Sequence, residues 1–535
     1  MKNLSLSLLM EHQLLGDGYI RDAYSVAKYL KKSYSDKKIL IYGLGLHTQE
    51  LLSSVDLTDF VLGIIKEKSS VVGFKECALN NYTIFQEDEV RRLEFDYIVL
   101  LGNWKITAVR LLSEKFGCDE KIFLLPYKIT ALKDQISQRF VQKNSLVLSN
   151  KKPTLVLILA YDRKDVISVS LDKLAKYFNI IKIYIEDEIY YQNDAVSQVI
   201  KLNNSIEALS TILNKTNEID IVCFWISSQF EMWIAYYIKS LLHPKTKFII
   251  GSSDFFFSIY HLEPMHLAQC IGMDKILANI NYQSELYCLK NCDGIISNFS
   301  GDFETIVKNT YKKAFLYTTS FVDVRSFEFV QRDLNPKEVH ICNLGSVEFR
   351  AMEDNPIFTS SKFDKLFAEM LKQNFSLHVY NGKRLKDDIE GDFQSLKETF
   401  PNLFHWHNFV PSSLLQKEIC QYDFGLVIVN ATVNVQKVYK TQFNSLFQAR
   451  IYSYIAAGIP MIVSEEYTFA SDFILKYGIG ISLKNEEFKD LETIIEGVDY
   501  QMLKDNLKDL QEVITKKENN DIVDFFNSFL KEDRK

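Results

Sequence analysis

Two stretches of this chain place residues where they could handle a phosphate. "YGLGLHTQE" sets Gly43 and Gly45 directly after a short apolar run, with Thr48 three residues further on. Backbone amides at a strand-to-helix turn of this kind can cradle an anion. In a dinucleotide fingerprint the third turn position is a glycine, and the second strand ends on an acid that takes ribose hydroxyls; here those positions hold Thr48 and Lys66. Gly43, Gly45 and Thr48 are therefore candidate nucleotide-binding residues in a turn that also reads as a plain tight connection. The second stretch is "RIYSYIAAGIPMIVS", residues 450–464. A helical pattern stops at Gly458, Pro460 forbids its continuation, and an apolar strand follows at once.

Other chemistries find little support. The eight cysteines are scattered through apolar stretches without a Cys-x-x-Cys pair. Cys288 and Cys292 can share a helical face, but no second close pair completes a zinc site, so buried free thiols are expected. His405 and His407 alternate on a strand-like segment, which is a poor metal site, and no metal is assigned. A formal charge of −7 supplies no general attraction to nucleic acid. The start of the chain lacks a basic region and a cleavage motif, and no run of about eighteen apolar residues occurs. A cytoplasmic protein is expected, with association at the inner face of a membrane left open.

The elements that must position these residues fall into units. At 535 residues, 47% of them apolar, the chain is long enough for several folded cores. Residues 1–145 contain "KKILIYGLG", "FVLGII", "FDYIVLLGN" and "KIFLLPY", a small parallel sheet of Rossmann-like type. Residues 151–330 repeat strand then helix through "TLVLILAY", "IIKIYIED", "IDIVCFWISS", "KFIIGSS" and "CDGIIS". Residues 338–485 do so again through "VHICNLGSV", "FSLHVYNGK", "FGLVIVN", "IPMIVS" and "GIGISL". Wholly apolar strands alternating with helices predict an α/β fold with sheets covered on both faces. Residues 486–535, with Leu503, Leu507, Leu510 and Ile514 at helical spacing, read as amphipathic helices packing on the body. Two tandem sheets define a site at the carboxyl ends of their strands.

Residues 151–535 resemble a GT-B glycosyltransferase, two tandem Rossmann-like domains in which the second holds most of a nucleotide-sugar. The resemblance is carried by Arg450, Tyr454, Ala457, Gly458, Pro460 and the strand "MIVS", and by three blocks in the right order: "ICNLGSVEFR", "LHVYNGK" and "HNFVPSSLLQKEICQYDFGLVI". The first unit resembles Rossmann-like domains attached to bacterial sugar-modifying enzymes.

This resemblance implies transfer of a hexose-like sugar from a nucleotide-sugar to a glycan, lipid-linked or protein acceptor, as in surface polysaccharide synthesis or protein glycosylation. It implies no required cofactor and no metal. Gly345 and Ser346 would let amides approach the diphosphate, with Arg350, Lys383, Arg384 and Arg450 as cations. The N-terminus of the helix ending at Gly458, placed near Asn444 and Ser445, would face the same group, with Ser453 and Tyr454 lining the pocket. Many retaining relatives carry a Glu-x7-Glu pair where this chain has Ser445 and Ser453, so the donor site departs from the common pattern. Asp254 is the candidate catalytic base for an inverting transfer, with His261 as runner-up. Two alternatives stay open: a silent binding protein of the same fold, and a nicotinamide-dependent enzyme working from the first unit. The donor's base and sugar, the stereochemical course and the oligomeric state are not set by the sequence.

Overall fold

The longest apolar runs become the inner strands of three sheets, in which every strand pair is parallel. A computed structural model of the chain describes residues 23–45, 48–49, 51–52, 55–66, 81–101, 112–113, 115–118, 121–125, 152–159, 166–184, 196–201, 218–226, 232–252, 259–260, 263, 266–267, 270, 275–317, 334–335, 338–348, 356–381, 389, 391–516 and 521–531. The first sheet contains β1 (Ile39–Tyr42), β2 (Val61–Lys66), β3 (Thr83–Gln86), β4 (Tyr97–Leu101) and β5 (Ile122–Leu125), ordered β3-β2-β1-β4-β5. The second contains β6 (Thr154–Leu159), β7 (Asn179–Tyr184), β8 (Gln198–Lys201), β9 (Ile221–Ile226), β10 (Lys247–Ser252), β11 (Gly294–Ser297) and β12 (Ala314–Tyr317), ordered β12-β11-β10-β9-β6-β7-β8. The third contains β13 (His340–Leu344), β14 (Ser376–Tyr380), β15 (Phe404–Trp406), β16 (Phe424–Val427), β17 (Met461–Ser464) and β18 (Gly480–Leu483), ordered β15-β14-β13-β16-β17-β18.

The helices that matter for the site are α1 (Ala23–Tyr34), α2 (Val166–Tyr177), α3 (Gly301–Asn309), α4 (Ser412–Ile419), α5 (Val433–Phe443), α6 (Ala449–Ala457), α7 (Tyr500–Lys516) and α8 (Asp521–Lys531). One apolar cluster runs from α1 and the first sheet, through Leu30, Ile64 and Val99, into Val156, Ile181 and Phe224 of the second. The first unit is thus packed on the rest of the chain.

α7 covers the third sheet, burying Leu503, Leu507 and Leu510. α8 crosses back to the second, where Ile522, Val523, Phe526 and Phe529 join the core of Leu155, Leu171 and Trp225. Gly294 makes room for it, since a Cβ there would lie 2.7 Å from the Phe529 ring. Tandem Rossmann-like sheets, with the last helix returning to the first of the pair, form the GT-B arrangement, preceded by a third Rossmann-like unit.

The three units share a local device. An aspartate directly precedes an inner strand and accepts the amide that opens its neighbour. Asp96 takes Lys38 N, Asp220 takes Thr154 N, Asp293 takes Phe248 N and Asp423 takes His340 N, all at 2.7–2.8 Å. Each carboxylate satisfies a donor at the amino end of a sheet and fixes relative strand height. Asp293 therefore has a structural task.

Candidate active site

β13 ends in Gly345, whose φ of 105° is open to glycine at little cost. Its amide donates to Tyr380 O at 3.1 Å, which ties the turn to β14. Ser346, next along, is exposed. A Cβ on Gly345 would stand 3.2 Å from Arg450 Nη2, so the guanidinium lies directly over this turn.

Arg450 is the second residue of α6. Gln448 caps the helix with φ −66° and ψ 136°, but its side chain makes no capping bond, so the free amides of the first turn lack the usual side-chain acceptor. Two groups at this helix start are short of partners among the described residues. Arg450 Nη1 is buried without one, and both amide atoms of Gln448 are as well. Elsewhere, next to Tyr467 in sequence, Glu466 Oε2 also lacks a partner among the described residues, and burial raises that carboxyl above its usual range. The Tyr467 phenol lies beside the Gln448 side chain and within the field of Arg450, although no Gln448 atom attains hydrogen-bond geometry. Buried, unpaired polar groups are costly, and a constellation of them marks a place completed by something else. Cationic fork, helix N-terminus and glycine turn together suit an oxyanion such as a diphosphate.

Behind this edge stands Tyr454, fully buried, with its ring against Gly425, where a Cβ would lie 2.5 Å from it. Its hydroxyl accepts Leu344 N at 3.0 Å and lies 3.2 Å from the carbonyls of both Cys342 and Leu426. Burial holds the phenol well above its usual value, and it stays protonated. Tyr454 was expected to line the pocket; instead it braces the end of β13 against β16 and α6. Ser453 is half-buried on the same helix. Gly458 closes α6 in the left-handed conformation, with φ 65° and the two reverse bonds of a Schellman turn, Gly458 N to Ile455 O and Ile459 N to Tyr454 O. Lys504 Nζ, on α7, donates to Gly458 O at 2.7 Å, a cation at the negative end of the helix.

Asn444 and Ser445 need a correction. α6 begins four residues beyond Ser445, and Asn444 instead ends α5. Their partners belong to the second sheet's domain. Ser445 Oγ accepts Phe303 N at 3.0 Å, its carbonyl accepts Ser300 N at 2.8 Å, and Asn444 Nδ2 donates to Asp302 Oδ2 at 2.7 Å. Leu446 adds an antiparallel bridge to Phe299. Ser445 thus caps α3 from across the domain boundary, and its hydroxyl is committed to that seam. Gly301, at φ 52°, permits the approach: a Cβ would fall 2.0 Å from Asn444 O.

On the flank of the third sheet the sequence understated a histidine row. His340 Nδ1 lies 3.0 Å from His378 Nε2, and His378 Nδ1 lies 3.0 Å from His407 Nε2. His405 stacks on His378, and His407 stacks on Tyr380. Burial first, then the neighbouring imidazoles, push His378 down to about 2; burial also lowers His405 and His407. His378, His405 and His407 are neutral at ordinary pH. No metal-holding group of three or more such side chains occurs among the described residues.

The first unit's glycine turn is closed on itself. Gly43 N donates to Ile65 O at 2.9 Å, and Thr48 Oγ1 donates to Gly43 O at 2.7 Å. Gly45 is exposed with open space around its Cα. Arg350, Lys383, Arg384, Asp254 and His261 lie outside the described residues. Gln448 and Glu466 escaped the sequence reading; the one available signal was a lone polar residue inside the apolar "SLFQAR".

Residues 357–519, which contain α5, α6 and Arg450, match the family described as glucosyltransferase 3-like, C-terminal domain. This bears out the glycosyltransferase resemblance. Residues 35–121 match the C2185-like N-terminal family. No curated protein sequence matches the chain. Among solved structures, TarM aligns at 12% identity and a TM-score of 0.36 over 58% of this chain and 54% of its own, so the chain spans about half of that relative's length. SnogD from Streptomyces nogalater aligns at 10% identity and a TM-score of 0.30, over 68% of this chain and 95% of its own. Arabidopsis thaliana UGT89C1, complexed with UDP-L-rhamnose, aligns at 10% identity and a TM-score of 0.36, over 68% of this chain and 93% of its own.

Proposed function

We propose that this chain transfers a sugar from a nucleotide-sugar to an acceptor hydroxyl, with the donor diphosphate seated between the Gly345 turn and the N-terminus of α6. The observation that carries this is Arg450, with Nη2 over Gly345 and Nη1 buried and unpaired. In the reaction the bond from the anomeric carbon to the phosphate oxygen breaks, and the acceptor oxygen bonds to that carbon and loses its proton. Negative charge collects on the departing diphosphate, where Arg450 and the α6 amides stabilise it more strongly than in the ground state. Asp254 is proposed as the base and His261 as its alternative. Arg350, Lys383 and Arg384 are proposed as further cations.

The acceptor is proposed to be a glycan, lipid-linked or protein hydroxyl of surface-polysaccharide or protein-glycosylation chemistry, met on the cytoplasmic side. No helix among the described residues is long and apolar enough to cross a membrane.

The test is a panel of nucleotide-sugars offered to wild type and Arg450→Ala, with binding and slow donor hydrolysis measured. One donor should bind saturably, and its affinity should fall about 30- to 100-fold in the variant, as loss of a charge-assisted pair to phosphate implies. The variant's melting temperature should stay close to wild type, because the buried Nη1 that is removed has no hydrogen-bond partner among the described residues. A wild type that binds no donor would leave the silent-protein alternative standing.

A further inference from the structure

We infer that Gln448 is the specificity residue of the donor seat, its carboxamide reading a hydroxyl pair on one of the two sugars that flank the diphosphate; this rests on the transferase reading above. Gln448 is 7% exposed, and neither its Oε1 nor its Nε2 has a hydrogen-bond partner among the described residues. Only a loose approach to the Tyr467 phenol relieves this carboxamide, so its burial destabilises the free protein, and a leucine of similar size would avoid that cost. Its position supplies the reason for keeping it. The residue caps α6, two positions before Arg450, and its side chain turns to Tyr467, which also senses the guanidinium. With the diphosphate on Arg450, whatever adjoins the phosphates comes next to Gln448.

What adjoins them is a ribose on one side and the transferred sugar on the other. Both present vicinal hydroxyls, each of which donates and accepts. A carboxamide offers one acceptor and two donors on a planar fork, so it can meet such a pair without charge. The chain has a need for this. Ser445, the first of the two serines at the Glu-x7-Glu positions, is bonded to Phe303 at the domain seam. Ser453 is a lone half-buried hydroxyl. Gln448 and Asn343 of β13 both have buried amide atoms without a well-formed bond among the described residues, and Gln448 is the one that caps the helix carrying Arg450. A site built to bond a hydroxyl discriminates against an analogue lacking it, because its own groups then stay unpaired.

The experiment uses the full chain and UDP, GDP, ADP and CDP, each against its 2′,3′-dideoxy form, followed by the corresponding nucleotide-sugar. It compares wild type with Gln448→Leu and Gln448→Glu. For the best-binding nucleotide, Gln448→Leu should weaken affinity about tenfold and melt higher than wild type when ligand-free. If the ribose is the group read, the preference for the ribo form over the dideoxy form should collapse in Gln448→Leu. If the transferred sugar is read, that preference should survive while the advantage of nucleotide-sugar over nucleotide disappears. Gln448→Glu keeps an acceptor and should retain part of the discrimination. Wild-type-like affinities and preferences in Gln448→Leu, with Arg450→Ala still impaired, would overturn this inference alone. No nucleotide binding by wild type would overturn the donor seat as well.

Discussion

Two glycine turns end the first strand of two Rossmann-like sheets in this chain, and they have come to opposite uses. Gly43 and Gly345 both sit at positive φ, 92° and 105°, and both donate their amides to a neighbouring strand. At Gly43 the carbonyl is taken locally: Thr48 turns its hydroxyl back onto it and is itself buried. At Gly345 the turn is faced by a guanidinium with a buried nitrogen left unpaired and by the uncapped start of α6. The backbone grammar is the same. What stands opposite the turn, and whether it is already satisfied, separates a connection from a candidate site.

The sharpest way to break this comparison is to add one methyl group to each turn. Gly345→Ala places an L-residue at φ 105° and its Cβ 3.2 Å from Arg450 Nη2, so backbone strain and a displaced guanidinium act together. A loss of about 2 kcal/mol in unfolding free energy is expected, with donor affinity reduced at least as much as in Arg450→Ala. Gly45→Ala meets nothing within 4 Å. It should change stability by less than about 0.5 kcal/mol and leave donor binding untouched. Denaturant midpoints and donor titrations on the two variants decide the matter. Equal effects would mean that the first turn carries a function this structure does not explain.

Much of this was legible in the sequence, and the rest was hidden for identifiable reasons. Inner strands such as "LVLIL" and "IVCFW" are buried on both faces and read as uninterrupted apolar runs. The strands that escaped notice, β3, β8 and β12, all lie at sheet edges. In β3 the exposed Thr83 and Gln86 interrupt the apolar signal, and β12 is an apolar run of only four residues. At the site, Arg450 and the Gly458–Pro460 stop were visible because they depend on local chain chemistry. Ser445 and Tyr454 were misplaced because their partners are 142 and 110 residues away, Phe303 and Leu344. Gln448 is informative only through its lack of a partner, which no linear pattern displays.

A smaller effect probes how the Gly345 turn is held. Tyr454→Phe keeps the ring on Gly425 but removes the oxygen that accepts Leu344 N, one residue before Gly345. A buried amide left unpaired costs about 1–3 kcal/mol, and a loss within that range is expected because the Cys342 and Leu426 carbonyls also lose the hydroxyl proton. Donor affinity should fall only a few-fold, since Tyr454 positions the turn and touches no ligand. A hundredfold loss would instead place its hydroxyl in the binding machinery. The first unit has no counterpart, for the hydroxyl that braces its turn is Thr48, and Thr48→Val should leave donor binding unchanged.

The gentlest probe is acid, and it should act on one turn before the other. Gly345 N is held by Tyr380 O, and the Tyr380 ring stacks on His407 at the end of the histidine row. His378, His405 and His407 all have native values below the ordinary imidazole range, with His378 at about 2. Above pH of about 6.5 these groups are neutral in both folded and unfolded chains, and the stability is fully present. As pH falls below that value the unfolded chain binds protons that these three native imidazoles refuse, and stability declines until they themselves protonate. His378 alone should contribute a loss of about 1 kcal/mol per pH unit once well below the unfolded value. Melting temperatures between pH 7.5 and 5 should therefore drop, and His378→Phe should flatten the decline. Hydrogen exchange adds the spatial test: at pH 5 the amides of β13 and β14 should lose protection ahead of those of β1 and β2. Simultaneous loss in both sheets would show that acid acts elsewhere, because the histidine row reaches only the strands that support Gly345.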